Sequence, residues 1–282
     1  MGASMKTEDT FSRQTIAEAS IRNEFHKKLL EPFTKACRDY ELISEGDRIA
    51  VCISGGKDSV LMAKLFQEIQ KHRKMNFDLV FLAMDPGYNE KNRVLLESNA
   101  KALGIPLVLF NSSIFEEVNN ASGSPCYICA RKRRGYLYSK AKELSCNKIA
   151  LGHHYDDVIE TILMGMLYGG QIQSMMPKLR SRHYEGMELI RPMYLIREND
   201  ICEWRDYNGL EFLRCACRSF MKDSQDGDAS SARLEIKRLI ASLKETNPSV
   251  EANIFKSVEN IDLNSVIAYK EDGKKKCFLD DY

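Results

Sequence analysis

The 282-residue sequence has no run approaching the roughly 18 consecutive apolar side chains of a membrane helix. Its opening MGASMKTEDTFSRQ lacks the apolar core of a secretory leader. No membrane partner is expected, and a cytoplasmic location fits best. Charge of one sign is not in excess: 41 basic and 40 acidic residues leave +1, which excludes an overall polycation but not a locally basic face. Cysteine, nine residues in all, is too sparse for a small disulfide scaffold, and the odd count leaves one thiol over if all others paired. There is no internal repeat. What is present is a folding composition, 44% hydrophobic and 29% charged, sufficient for a core in one domain or two closely joined ones.

Apolar residues Ile21, Phe25, Leu29, Phe33 and Cys37 recur every four positions, so an N-terminal helical segment over 1–45 is expected, with one covered face. RIAVCI (48–53) reads as a buried strand ending at SGGKDS, after which Val60, Leu61, Ala63, Leu65 and Phe66 mark a helix. FDLVFLAM (77–84) lacks in-out alternation, suits a central strand beside the first, and precedes the turn-rich DPGYNE. A helix over Glu90–Leu103 stops before Gly104 and Pro106, and Leu107–Phe110 returns to strand. After ASGSP come a helix in CYICARKRRGYLYSKAKELS, a short strand in NKIALG and a helix in HHYDDVIETILMGMLYG. This alternation predicts an α/β protein with an open, mainly parallel sheet flanked by helices over 46–220. MMPKLRSRHYEGMELIRPM is irregular or hairpin-like, and ENDICEWRDYNGL holds a helix that brings Trp204 and Tyr207 into a local core. MKDSQDGDASSA is the best linker or mobile loop, opening a 221–282 extension with helical RLEIKRLIASL and a polar tail containing KEDGKKK. The extension forms a terminal subdomain or covers the main sheet.

Ser54, Gly55, Gly56, Lys57, Asp58 and Ser59 fall where a strand ends and a helix begins. Small residues there let backbone N–H groups approach phosphate oxygens, and the helix dipole adds to the attraction. Lys57 is placed to neutralise pyrophosphate, Ser54 and Ser59 to donate hydroxyl bonds, and Asp58 to position magnesium or anchor the loop. An ordinary Gly-rich turn is the plain alternative. The segment has neither the spacing and Gly-Lys-Ser/Thr ending of a Walker loop nor the GxGxxG of a dinucleotide fold. Asp85, at the end of FDLVFLAMD, holds nucleotide or magnesium, or caps a turn.

Cys126 and Cys129 in PCYIC have the spacing of a compact chelate for one soft metal; a redox pair or two unliganded thiols share that spacing. Cys215 and Cys217 are candidates for the third ligand, and a four-cysteine zinc site is the structural alternative. Cys37, Cys52, Cys146, Cys202 and Cys277 read as packing residues or incidental thiols. His153 and Asp156, like His154 and Asp157, are three apart and share a face if a helix begins here, while the acids also suit helix capping. Arg131, Lys132, Arg133 and Arg134 form one basic interval and Lys178, Arg180, Arg182 and His183 another. Both contact RNA phosphates or are simply solvated faces. Tyr136, Tyr138 and Tyr184 offer base stacking or fill core.

SGGKDS after VCI resembles the pyrophosphate loop of the ATP pyrophosphatase, or PP-loop, superfamily. PCYICARKRRGYLY followed by KIALGHHYDDVIETILMGMLYGG, together with MMPKL, IRPMYLIRENDI and the later cysteine, resembles the tRNA 2-thiocytidine synthetase branch over most of residues 45–220. The resemblance implies an adenine nucleotide alpha-hydrolase-like fold. It implies ATP-dependent replacement of a pyrimidine carbonyl oxygen by sulfur in tRNA, the target being cytidine C2 in the anticodon-region loop. Ser54 through Ser59 would surround the phosphates of ATP with Mg2+. Asp85 and His153 would bind the nucleotide, and Asp157 would join Lys57 and Asp58 in the chemistry. Cys126, Cys129 and Cys217 would hold a [4Fe-4S] cluster with one iron open. Cys215 is the reserve ligand, because the family commonly has CxxC where this chain has Cys215-Ala216-Cys217. Arg131, Arg133, Arg134, Lys178 and Arg180 would contact tRNA. The partners implied are tRNA and sulfide or a cysteine desulfurase-type sulfur donor, with room for a homodimer. Two alternatives stand beside this: another PP-loop thiolation or desulfuration enzyme, and a nucleotide-gated module that binds RNA without modifying it.

Overall fold

A computed structural model describes residues 4–72, 74–112, 114, 125–213 and 228–281, with side chains from 13, from 131 in the helix starting at 125, and from 232 to 280 in the segment starting at 228. The strands of the main sheet are β1 (Arg48–Ile53), β2 (Asp78–Asp85), β3 (Leu107–Asn111), β4 (Lys148–Ala150), β5 (Lys178–Arg180) and β6 (Glu188–Ile190). Their order is β3-β2-β1-β4-β6-β5, parallel throughout except that β5 runs against β6. The helices are α1 (Ser4–Arg22), α2 (Glu31–Asp39), α3 (Lys57–Lys71), α4 (Glu90–Ala102), α5 (Pro125–Glu143), α6 (Tyr155–Gly169), α7 (Glu198–Tyr207), α8 (Asp228–Thr246) and α9 (Val250–Ser257). The α/β class and mainly parallel sheet expected from the sequence are what the structure has. The basic stretch at 178–190 forms the antiparallel β5–β6 pair.

The pleat of β1 divides the core. Ile49, Val51 and Ile53 pack on one face with Phe81 and Ala83, under Phe33, Phe66, Leu96 and Trp204. Ala50 and Cys52 pack on the other with Val80, Leu82 and Met84, under Leu137 and Ala141 of α5. A strand covered on both faces has no polar side to show, which is why RIAVCI and FDLVFLAM are unbroken apolar runs. Each of these large side chains, fully buried, contributes roughly 1.5–3 kcal/mol, so the two-sided cover fixes β1 at the centre.

The N-terminal segment departs from a single helix. After α1 the chain turns through a π-helical stretch, His26–Leu30, before α2. Pro32 in the first turn of α2 has no N–H with which to continue the ladder from α1. Ile21, Phe25, Leu29 and Phe33 are buried all the same. Trp204 is fully buried, as expected, but Tyr207 is 56% exposed and meets Phe25 only edge-on at 5.5 Å. The expected polar tail is a hairpin, β7 (Ala268–Glu271) with β8 (Lys274–Cys277). Its turn residues Asp272 and Gly273 have φ of 50° and 80°, and Asp-Gly accepts the paired positive φ that two-residue hairpin turns require.

Two compact units result, Met1–Asp157 with Met176–Ala229, and Val158–Met175 with Ser230–Tyr282. In the second, Glu160 is buried and approached by Arg233 at 3.4 Å and Lys237 at 3.5 Å. Most of MKDSQDGDASSA lies outside the described residues. Among the described residues no helix is long and apolar enough to cross a membrane.

Candidate active site

The chain leaves β1 through α3 to reach β2 on one side, while β4 lies on the other side of β1. Loops at the carboxyl ends of β1 and β4 therefore part, opening the crevice where α/β sheets bind ligands. Ser54–Gly56 occupies one lip and Leu151–His154 the other. Gly152 draws them together: a Cβ there would lie 3.2 Å from the Asp58 carbonyl carbon and 3.2 Å from the Ser59 nitrogen.

Gly55 has φ +81°, and a Cβ would meet Leu213 Cδ1 at 2.5 Å, so the turn both needs glycine conformationally and has no room for more. The Leu213 N–H donates to the Gly55 carbonyl at 3.1 Å. Ser59 is buried, and its hydroxyl accepts from the Ser54 N–H at 3.1 Å and donates to the Gly56 carbonyl at 3.0 Å. Ser54 Oγ lies 3.2 Å from Ser59 Oγ. The two serines thus shape the loop whose N–H groups open α3.

Lys57 Nζ lies 3.0 Å from Asp58 Oδ1 and 3.1 Å from Glu198 Oε1. Burial opposes its charge, but the two carboxylates outweigh burial and hold the ammonium above the ordinary lysine range. A cavity of about 670 Å³ opens here, lined by Gly56, Lys57, Asp58, Glu198, Cys202 and Phe212 among others, a volume within the range of small-molecule sites.

Three helix N-termini converge on this edge. Asp156 Oδ2 accepts from the Glu198 N–H at 2.7 Å and Oδ1 pairs with Arg197 at 3.0 Å, so the first turn of α6 holds the first turn of α7. Glu198 in turn reaches Lys57 at the first turn of α3. Each N-terminus carries the equivalent of about half a positive charge, and their sum favours a polyanion. Glu198 had no role assigned from the sequence. An acid in a first helical turn looks like a cap, and nothing local in IRENDI reveals that it faces a lysine 141 residues away.

His153 and Asp156 do not share a helical face, because α6 begins only at Tyr155. His153 Nδ1 instead accepts from Arg191 Nε at 3.3 Å. Buried His154 lies 3.7 Å from Asp156 and 3.5 Å from Asp157. Asp157 Oδ2 accepts from the His154 N–H at 3.1 Å, reaching back over its own helix start as a capping carboxylate does. Asp85, also buried, accepts from the Gly87 and Tyr88 N–H groups at 2.8 and 2.7 Å, so its carboxylate organises the turn after β2.

Positions 126 and 129 fall one turn apart at the start of α5, a separation compatible with two ligands of one metal centre. Their side chains, and all of Cys215 and Cys217, lie outside the described residues. Among the described residues no group of three or more His, Cys, Asp and Glu is arranged to hold a metal ion. The remaining thiols suit packing: burial pushes Cys37 and Cys52 up to about 12, and raises Cys146 and Cys202 above the ordinary thiol value. Such thiols stay protonated, whereas a soft metal takes the thiolate.

The two basic intervals meet. Tyr138 of α5 stacks on Tyr184 of the β5–β6 connection with centroids 5.1 Å apart and planes 10° from parallel, and Tyr184 donates to the Gly135 carbonyl at 3.0 Å. Arg131, Arg134, Arg180 and Arg182 are exposed, and Arg133 is half-buried. Lys178 is tied to the Glu41 carbonyl at 2.8 Å and to Glu188 at 3.5 Å, which sets it apart from the exposed cations.

The sequence matches the PP-loop domain family over residues 21–218. It is 36% identical over 245 residues to a tRNA-cytidine(32) 2-sulfurtransferase of Alcanivorax borkumensis, covering 85% of this chain and 82% of that protein. A protein of the same name from Syntrophotalea carbinolica is 33% identical over 244 residues, covering 86% and 92%. The fold is similar to that of the U34-tRNA thiolase NcsA from Methanococcus maripaludis, solved with its [4Fe-4S] cluster, at TM-score 0.64 and 21% identity over 86% of this chain and 82% of that one. With its glycine loop at the switch point and this extent of likeness, the chain belongs to the PP-loop family.

Proposed function

We propose that this protein is an ATP-dependent tRNA sulfurtransferase that adenylates the C2 carbonyl of a cytidine in the anticodon-region loop and replaces its oxygen with sulfur. The observation that carries the reading is the convergence of Lys57, Asp58 and three helix N-termini beside the Gly55–Gly56 loop. The curated relatives, named for tRNA-cytidine(32), supply the target.

In this reading the N–H groups of Ser54–Ser59 and the Lys57 ammonium bind the phosphates, Lys57 exchanging carboxylate for phosphate oxygens as ATP enters. Asp58, released from Lys57, positions Mg2+. The pyrimidine oxygen attacks the α-phosphorus and pyrophosphate leaves, its charge stabilised by the same donors. A sulfur nucleophile attacks C2, the C–O bond breaks and AMP departs, leaving the thiocarbonyl and a proton. Cys126, Cys129 and Cys217, with Cys215 as reserve, are the proposed ligands of a [4Fe-4S] cluster like the one with which NcsA was solved. Such a cluster, when bound, would supply a soft metal centre able to deliver inorganic sulfide as the nucleophile, with no net redox change. Asp157 and His153 stand on the β4 lip for contact with nucleotide or target, and Asp85 supports the β2 edge. Arg131, Arg133, Arg134 and Arg180 receive tRNA phosphates, with Lys178 behind them. Sulfide or a cysteine desulfurase-type donor, a cytoplasmic setting and a homodimer complete the proposal.

The test is anaerobic reconstitution with iron and sulfide, followed by Mg-ATP, a sulfide source and tRNA, with AMP and nucleosides measured by mass spectrometry. AMP release matched by 2-thiocytidine is expected. Nucleotide and RNA binding without turnover would instead mark a nucleotide-gated binding module. A different thionucleoside would mark another PP-loop thiolation enzyme.

A further inference from the structure

Arg191 follows β6 at the carboxyl edge of the sheet, beside the β4 lip that carries His153; the Leu151 N–H donates to the Ile190 carbonyl at 3.0 Å. It is 5% exposed, yet among the described residues it forms no ion pair with a carboxylate. Its guanidinium donates instead to His153 Nδ1 at 3.3 Å and to the Met176 carbonyl. Besides His153, the charged or titratable groups acting on it include Arg134 and Tyr138 of α5, Tyr194 beyond β6, and Asp157 of α6. Burial first, and then the like charge of Arg134, pulls the guanidinium down to about 10, still charged at neutral pH.

A guanidinium has five donors and no acceptor. The imidazole nitrogen that receives its N–H must therefore present a lone pair, which leaves Nε2 as the protonated nitrogen and the ring neutral. A protonated imidazolium would set N–H against N–H and a half-buried cation against the buried guanidinium. We propose that Arg191 is a positioning residue that keeps His153 neutral with its proton on Nε2, making the imidazole a fixed hydrogen-bond donor at the crevice rather than a base. The identity of the oxygen it serves, on nucleotide or target, rests on the functional reading above; the tautomer does not.

The chain has five histidines, few enough for side-chain 1H–15N correlation spectra of the full protein, with His153 assigned by its loss in His153→Gln. Wild type is expected to show only the Nε2–H form at pH 7 and a titration midpoint below the ordinary value of about 6.5. Arg191→Met, folded by circular dichroism, should populate both tautomers and raise that midpoint, and Arg191→Lys should restore part of the shift. An Nδ1–H or doubly protonated ring at pH 7 in wild type overturns the proposal without any variant, as does an unchanged spectrum in folded Arg191→Met. In the thiolation assay His153→Gln, which keeps an N–H donor, should stay within about threefold of wild type while His153→Ala falls about tenfold, the range of one hydrogen bond. Equal losses would also overturn it. If no thiolation occurs at all, the functional reading fails while the tautomer is still decided by the spectra.

Discussion

At the scale of single residues, the site depends on atoms that are missing as much as on those present. Gly152 has no Cβ, and one placed there would press on two backbone atoms of the α3 start at 3.2 Å. Backbone cannot swing aside as a side-chain tip can, so the β4 lip itself must move. Gly152→Ala is expected to weaken ATP binding about tenfold and to cost roughly 1–3 kcal/mol in stability, the usual range for overpacking. Isothermal titration and thermal melts check the two effects separately. Binding unchanged from wild type would show that the two lips need not touch. Glycine's value here was not legible from the sequence, because KIALGHH looks like any strand end. SGGKDS was legible: its small residues and lysine fall directly after an apolar strand, and the structure puts them at the mouth of the crevice.

At the scale of elements, helix ends were read well and their partners were not. The acids after His153 were understood as caps or as site residues, and the structure shows Asp156 capping a helix other than its own. Its carboxylate serves the Glu198 N–H and Arg197 together. Asp156→Ala should cost about 1 kcal/mol, as loss of an N-cap does, and should also weaken ATP binding because Glu198, which holds Lys57, loses its backbone anchor. Asp156→Asn keeps an acceptor and should recover most of the stability, which denaturant melts would measure. Equal stability of all three proteins would sink the assignment.

A second tie joins α1 to α3. Fully buried Lys64 meets Glu18 at 2.7 Å and Lys71 meets it at 2.6 Å. Burial disfavours the charged Glu18, but bonds from Lys64, Lys71 and Gln14 outweigh it and hold the carboxyl at about 2 against an ordinary 4.5. Because the folded value lies below the unfolded one, the stabilisation is complete above pH 4.5 and drains away as pH falls toward 2. Glu18→Gln should destabilise at pH 7 by roughly 2–3 kcal/mol, the range for a hydrogen bond to a charged group. The deficit should shrink over that acid window. Parallel stability curves for variant and wild type from pH 7 to 3 would rule the tie out.

At the scale of the whole molecule, the net charge of +1 concealed the feature that matters for a polyanionic partner. RKRR and KLRSRH are separated by more than forty residues of sequence, and the stacking of Tyr138 on Tyr184 and the hydrogen bond from Tyr184 to the Gly135 carbonyl bring their elements together. In that contact Tyr138 and Tyr184 pack face to face and help build the surface between the two intervals. It was beyond reach of a one-dimensional reading, since each tyrosine alone suits a core as well as a surface. Arg131, Arg134 and Arg180 are the exposed cations of the proposed RNA set, whereas Lys178 is held by Glu41 and Glu188. Arg134→Ala and Arg180→Ala should each weaken tRNA binding and lower the slope of log affinity against log salt by about 0.7–0.9, one released counterion apiece. Lys178→Ala should leave the slope near wild type and act mainly on stability. Filter binding across a salt series distinguishes the two classes of cation, and a slope that falls for Lys178 but not for the arginines would move the RNA face away from the Tyr138–Tyr184 junction.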